Sequence, residues 1–312
     1  MSTAYYTHAD CLRHEMGAWH PESPQRLLAI QDILFANGMQ QVLDQREAPL
    51  ASEASLALVH TPDAIARVRD NCPVAGDQAA YFALDADTTL NAHSWPAALR
   101  AAGAAIAATD AVIDGAVANA FCAIRPPGHH ATPNEAMGFC LFNNVAIAAA
   151  HALQVRGLQR VAIIDFDVHH GNGTEQAFQD DPRVLMVSFF QHPFYPYSGT
   201  AHPAENMLNL PLPAHSDGDA VRQVVLENWL PALHAHRPEM IFISAGFDAH
   251  REDEMAQMAL DEADYAWMTQ RIMAIASQYA QGRIVSCLEG GYHLSALARS
   301  VLAHIEVLAQ RD

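Results

Sequence analysis

Val161-Ala162-Ile163-Ile164-Asp165-Phe166-Asp167-Val168-His169-His170-Gly171-Asn172-Gly173 decides the fold and points to the chemistry. Four apolar residues predict a short buried strand, and the carboxylates and imidazoles that follow gather where that strand ends. Residues 165, 167 and 169 alternate, and alternate side chains of an extended chain share one face. Two carboxylates and an imidazole therefore point the same way. Burying them without partners costs several kcal/mol of solvation, so the arrangement calls for a cation or a hydrogen-bond network. A metal ion is the first expectation.

Working outward, apolar runs at 120–124, 161–164, 184–189, 240–244 and 284–288 alternate with helical stretches at 141–156, 174–179, 219–236, 261–280 and 294–309. Two helices precede them. Residues 24–37 carry Leu27, Leu28, Ile30, Ile33 and Leu34 at helical spacing before Gly38, and the Ala-rich stretch 94–115 has Ser94 as its cap. Repeated strand-then-helix units with continuously apolar strands indicate an α/β protein, a parallel sheet with helices on both faces. Ligands of such sheets bind at the carboxyl ends of the strands.

Four polar clusters fall at those ends: Arg125-Pro126-Pro127-Gly128-His129-His130, the opening segment, Ala245-Gly246-Phe247-Asp248-Ala249-His250, and Glu289-Gly290-Gly291-Tyr292-His293. One shared site accounts for all four.

A chain of 312 residues with 51% hydrophobic and 17% charged residues suits one large domain spanning 1–312, and no repeat or linker marks a boundary. The longest apolar runs fall short of the ~18 residues of a membrane span, and the N-terminus lacks the basic and apolar pattern of an export signal. Cys11, Cys72, Cys122, Cys140 and Cys287 are scattered and never spaced as CxxC, which reads as reduced thiols in a cytoplasmic protein. A net charge of −18 repels nucleic acid and favours cationic substrates or partners.

A catalytic zinc keeps about three protein ligands and an open position for water or substrate. Asp167, His169 and Asp248 can supply them, in an oxygen-rich set suited to zinc or ferrous iron; alternation alone does not separate Asp165 from Asp167. His129 and His130, stiffened by the preceding Pro-Pro-Gly, offer a neutral imidazole to take a proton from the nucleophile and return it to a leaving amine. Tyr292 stays protonated near neutral pH and can donate to a developing oxyanion. No Gly-x-Ser-x-Gly elbow or phosphate loop competes, and Cys122 and Cys287, inside apolar strands, read as inert thiols.

These segments, with Gly138-Phe139-Cys140 and His20-Pro21-Glu22-Ser23-Pro24-Gln25-Arg26, resemble the zinc-dependent histone deacetylase family, in particular its class II branch and the bacterial histone deacetylase-like amidohydrolases. The likeness covers about residues 20–295. It implies the three-layer arginase–deacetylase fold and hydrolysis of an N-acetyl amide, with acetyl-lysine as the typical substrate. It implies zinc ligands Asp167, His169 and Asp248, His130 as general base and acid, and His129 as its electrostatic partner. Asp165 then orients His129 and, with Ser188, lines a potassium or sodium site; Asn172 orients His130. Gly138, Phe139, Tyr195 and Gly291 contact substrate, Tyr195 being preferred to Phe194 as the second wall, and Arg26 lines a channel for acetate.

The resemblance leaves the substrate open. An acetylpolyamine amidohydrolase carries the same zinc site and suits the acidic composition, although its usual inserted loop is missing from the short segment 71–91, where Asp85 and Asp87 could meet a substrate amide or amine. A binuclear manganese ureohydrolase needs more bridging carboxylates than this chain shows. A silent acetyl-ligand binding protein needs none of the intact machinery.

Overall fold

The computed structural model describes residues 2–74, 80–201 and 203–311. Ten strands are present among them: β1 (Thr3–Thr7), β2 (Asp44–Glu47), β3 (Phe82–Ala83), β4 (Thr89–Leu90), β5 (Asn119–Cys122), β6 (Val161–Asp165), β7 (Val184–Gln191), β8 (Met207–Leu212), β9 (Met240–Ala245) and β10 (Ile284–Leu288). All but the β3–β4 hairpin join one parallel sheet in the order β2-β1-β5-β10-β9-β6-β7-β8. This order explains the convergence of the polar clusters. β5, β10, β9 and β6, the strands that carry them, are consecutive neighbours, so parallel pairing brings their carboxyl ends to one edge.

The helices are α1 (Gln25–Ala36), α2 (Glu53–Leu56), α3 (Pro62–Asn71), α4 (Ser94–Ile113), α5 (Asn144–Gln154), α6 (Asn172–Phe178), α7 (Gly218–Val224), α8 (Leu230–His236), α9 (Glu262–Tyr279) and α10 (Leu294–Leu308). α4 packs on α5, while α1, α10 and α9 pack in succession, and these two groups sandwich the sheet. The central strands β5, β6, β9 and β10 are buried along their whole length, each large aliphatic side chain contributing about 1.5–3 kcal/mol.

Three strands of the main sheet escape the sequence pattern. β2 and β8 lie at the sheet edges: β2, Asp-Gln-Arg-Glu, alternates half-buried with exposed polar residues, and in β8 Asn209 and Pro211 interrupt the apolar run, so neither reads as a buried strand; β1, Thr-Ala-Tyr-Tyr-Thr, is buried without a large aliphatic residue. The helix expected over 219–236 is interrupted by a π turn at Val225–Trp229, two residues before Pro231, which has no N–H for the carbonyl four residues back. Ser94 does not cap α4. It is the first helical residue, and its hydroxyl accepts from the Asn91 N–H at 2.8 Å. The expectation that no segment matches a membrane span also needs correcting: the 20 residues of α4 are long and apolar enough by length and composition, yet this helix is mostly buried against α5, β5 and β10.

Candidate active site

β6 ends at Asp165, so strict alternation stops there and the loop beyond is free to turn Asp167 and His169 toward Asp248, which follows the adjacent β9. The ligand atoms of Asp167, His169 and Asp248 lie within 4.8 Å of one another, all buried. His169 Nδ1 is 3.1 Å from Asp167 Oδ1 and 3.2 Å from Asp248 Oδ2. Metal–ligand bonds of about 2 Å in a tetrahedron put neighbouring ligand atoms about 3.3 Å apart, so this spacing suits a common ion. Apart from that imidazole, Asp248 Oδ2 is buried without a donor, a costly state for a carboxylate that a divalent cation relieves. Two carboxylate oxygens and an imidazole nitrogen fit zinc or ferrous iron.

The remaining carboxylate oxygens hold backbone. Asp167 Oδ2 accepts from the Gly290 N–H at 2.8 Å and Asp248 Oδ1 from the Val168 N–H at 3.0 Å. Gly290 cannot carry a side chain here, because a Cβ would lie 2.0 Å from Asp248 Oδ2.

Asp165 stands behind this triad. Its Oδ2 lies 3.0 Å from His129 Nδ1, and its Oδ1 accepts from the Asp167 N–H at 3.1 Å. In the sheet it is paired with Ser188 on β7 and Ser244 on β9. Both serine hydroxyls are buried without a partner, an oxygen-rich environment of the kind a monovalent cation takes.

The two histidines pack ring to ring, 4.0 Å between centroids. His130 Nδ1 is 2.8 Å from Asn172 Oδ1. Burial pushes the His129 imidazolium down, but the Asp167 and Asp165 carboxylates together outweigh it and raise His129 to about 10. His130 is driven well below its ordinary value, first by burial and then by the positive charge of His129 and His169. Near neutral pH one ring is thus charged and the other is a free base. Glu289, read only as part of a motif, fixes the pair from beneath. Its Oε2 accepts from the N–H groups of Gly128 at 2.6 Å and His129 at 3.1 Å, and burial raises its carboxyl to about 7.

Burial, then the nearby Asp248 carboxylate, raises the Tyr292 phenol far above its ordinary value, which keeps it a donor. Arg26 sits 5.0 Å from the centre of the Tyr292 ring, donates to the Gly291 carbonyl at 2.6 Å and also bonds the Glu289 carbonyl. Its guanidinium is thus engaged in holding this loop.

Above the triad lies a cavity of about 220 Å³ lined by Asp87, His130, Gly138, Phe139, His169, Phe194, Tyr195, Met255 and Tyr292. Both Phe194 and Tyr195 contribute. Phe194 stacks on His169 at 5.5 Å and 22°, and Tyr195 meets His130 edge-on at 5.1 Å. Gly138 has φ +56, and a Cβ there would lie 2.6 Å from the His130 ring, so glycine lets the loop close against His130. Gly291 lies outside the lining; its carbonyl is held by Arg26. Met255 is a wall residue that the sequence did not announce, being an isolated apolar residue in a polar loop. Asp85 Oδ1 accepts from the Asp87 and Thr88 N–H groups at 3.0 and 2.6 Å, which leaves Asp87 as the acid at the mouth. Residues 75–79, within the short segment 71–91, lie outside the described residues.

The histone deacetylase domain model matches residues 20–308. The chain belongs to the histone deacetylase family. Among its relatives are the histone deacetylase-like amidohydrolase of Pseudomonas aeruginosa, 35% identical over 98% of this chain and 86% of that protein, and human polyamine deacetylase HDAC10, 37% identical over 92% of this chain and 44% of that protein. The crystal structure of the HDA15 HD domain superposes with a TM-score of 0.92 at 35% identity, covering 99% of this chain and 88% of that one. The sheet and its flanking helices are accordingly the arginase–deacetylase α/β fold.

In this histone deacetylase family member the His20–Arg26 motif lies behind the site. Glu22 bonds Arg26 at 3.0 Å and Arg125 at 2.7 Å, all three side chains fully buried, so the cluster anchors Arg26 beneath Tyr292.

Proposed function

We propose that the protein is a zinc-dependent deacetylase, ferrous iron being an alternative metal, that hydrolyses the side-chain amide of acetyl-lysine to amine and acetate. The observation that carries this reading is the buried Asp167–His169–Asp248 cluster at the floor of an aromatic-walled cavity that also presents His130 and Tyr292. Asp167, His169 and Asp248 would hold the ion, which when bound would supply Lewis acidity to a water and to the acetyl carbonyl.

With Asn172 Oδ1 accepting from Nδ1–H, the neutral His130 turns its Nε2 lone pair to the reacting centre, takes the proton of the attacking water and returns it to the departing amine. His129, its Nδ1 bound to the Asp165 carboxylate, stabilises the negative charge that builds beside it. Tyr292 donates its O–H to the developing oxyanion. Phe139, Phe194, Tyr195 and Met255 exclude water from the aliphatic chain, while Asp87 receives an amide N–H or an amine at the mouth. Asp165, Ser188 and neighbouring carbonyls hold potassium or sodium as a structural ion. Charge and the five unpaired thiols support a cytoplasmic enzyme without nucleic-acid or membrane partners.

A second reading, an acetylpolyamine amidohydrolase, draws on the human relative named a polyamine deacetylase and on Asp87. Acetyl-lysine is preferred because Asp87 is the sole carboxylate among the described residues lining the cavity outside the metal cluster.

The test compares an acetyl-lysine fluorogenic peptide with an acetylpolyamine on zinc-loaded protein. Peptide turnover that is blocked by a hydroxamate or a chelator and falls by about 100-fold or more in Tyr292→Phe and His130→Ala supports the proposal. Unchanged turnover in both variants sinks the mechanism, and a preference for the polyamine selects the second reading.

A further inference from the structure

Asp253 takes no part in the chemistry above, yet its buried carboxylate holds two walls of the cavity. Its Oδ2 accepts from the main-chain N–H groups of Tyr292 at 2.6 Å and His293 at 3.1 Å, and its Oδ1 from that of Met255 at 3.0 Å. Its own N–H donates to the His250 carbonyl at 2.9 Å. Met255 and Tyr292 line the catalytic cavity. They also line an adjoining cavity of about 290 Å³ that Asp253 itself helps to form, so the carboxylate stands behind the partition between the two spaces.

The segment that Asp253 grips has backbone freedom to restrain. Tyr292 follows Gly290 and Gly291, two residues with no Cβ to limit the backbone, and Gly291 has φ +115. Arg26 pins the carbonyls of Glu289 and Gly291 ahead of the tyrosine. Nothing in that contact fixes the chain on the far side of Tyr292. Asp253 does, through bonds that are about twice as strong as neutral ones because the acceptor is charged.

We infer that Asp253 is a positioning residue: by clamping the Tyr292 and His293 amides to the loop that carries Met255, it sets the reach of the Tyr292 hydroxyl. This inference rests on the role given to Tyr292 under the proposed function. Asp253→Asn tests it, since an amide keeps the size but has one acceptor oxygen, and its NH₂ confronts backbone N–H groups on the other side.

Two measurements are made on the zinc-loaded full chain. Residue-resolved hydrogen exchange should speed up at the Tyr292 and His293 amides by about 10-fold or more, with the sheet unchanged. Turnover should lose about 100-fold in kcat, the scale of a 1 Å misplacement, with KM within about threefold. In a Tyr292→Phe background the same Asp253→Asn change should alter kcat by less than about twofold, because the hydroxyl it places is gone. Unchanged exchange, or a fall in kcat that is equally large in the Tyr292→Phe background, overturns the inference. A Tyr292→Phe enzyme with full turnover refutes the catalytic role of Tyr292 instead, and the clamp is then judged by exchange alone.

Discussion

Replacing Glu22 by glutamine removes one negative charge from between two buried guanidiniums. Glu22 Oε1 lies 3.0 Å from Arg26 Nη1 and its Oε2 2.7 Å from Arg125 Nη2, with all three side chains at 0% exposure. His14, 3.8 Å away, adds no charge, because burial and Arg125 lower it to about 3. Breaking a buried pair by removing one partner costs about 3–5 kcal/mol. Titration leads to a similar figure. Burial opposes ionisation of Glu22, but Arg125 and Arg26 outweigh it and bring the carboxyl from 4.5 to about 2, which at 1.36 kcal/mol per pH unit contributes about 3 kcal/mol. Because the folded value lies below the unfolded one, this stabilisation is complete above about pH 4.5 and is lost as pH falls toward 2. Urea unfolding of both proteins at several pH values is the assay. The wild type should exceed Glu22→Gln by about 3 kcal/mol near neutral pH, and the difference should shrink as the solution is acidified. A difference below about 1 kcal/mol at neutral pH, or one that does not change on acidification, refutes the reasoning.

Three further outcomes are expected. Gly290→Ala places a methyl group 2.0 Å from Asp248 Oδ2 and 2.6 Å from Asp167 Oδ2, so the purified variant should hold far less than one zinc per chain after dialysis; full occupancy by elemental analysis shows that the carboxylates can yield. Asn172→Asp puts a carboxylate where a neutral oxygen lies 2.8 Å from His130 Nδ1, which raises the base by about 1–3 pH units. The acid limb of the kcat/KM profile should move up accordingly, and an unmoved limb takes that proton away from His130. Asp87→Asn should raise KM about tenfold with kcat within about twofold, the loss of one charged hydrogen bond at the mouth; an unchanged KM removes Asp87 from substrate contact.

Much of the fold was legible because apolar runs end abruptly in polar clusters. Val161 to Ile164 followed by Asp165 can only be a buried strand reaching an edge, and the neighbouring order of β5, β10, β9 and β6 then assembles the site. The candidate metal ligands were not legible from periodicity, since Asp165 and Asp167 share one alternation and only the end of β6 separates their placement. Family likeness favoured Asp167, and it is Asp167 that clusters with His169 and Asp248. The cavity was harder: Asp87, Phe194, Tyr195 and Met255 come from loops with no period, and nothing local marks Met255 as a wall or Asp253 as its anchor. Edge strands β2 and β8 were hidden because β2 consists of polar residues, every second one exposed, and Asn209 and Pro211 break the apolar run of β8.

The carboxylates at this edge also explain how loops rather than regular elements can hold a site to a fraction of an ångström. Asp167 shares one oxygen with the metal cluster and binds the Gly290 N–H with the other, across 123 residues. Asp248 does the same with Val168 across 80. Glu289 binds Gly128 and His129 across some 160 residues, and Asp253 binds Tyr292 and His293 across about 40. Each acid thus ties its own loop to the loop of another strand, so that charge needed for chemistry also satisfies backbone donors that a glycine-rich edge would otherwise leave open. Small residues are required where these loops meet, as at Gly290, because the acceptor oxygen occupies the place of a side chain. A substitution at any of these acids therefore perturbs two loops at once. That is why the loss of Asp253, which touches neither metal nor substrate, should register at Tyr292.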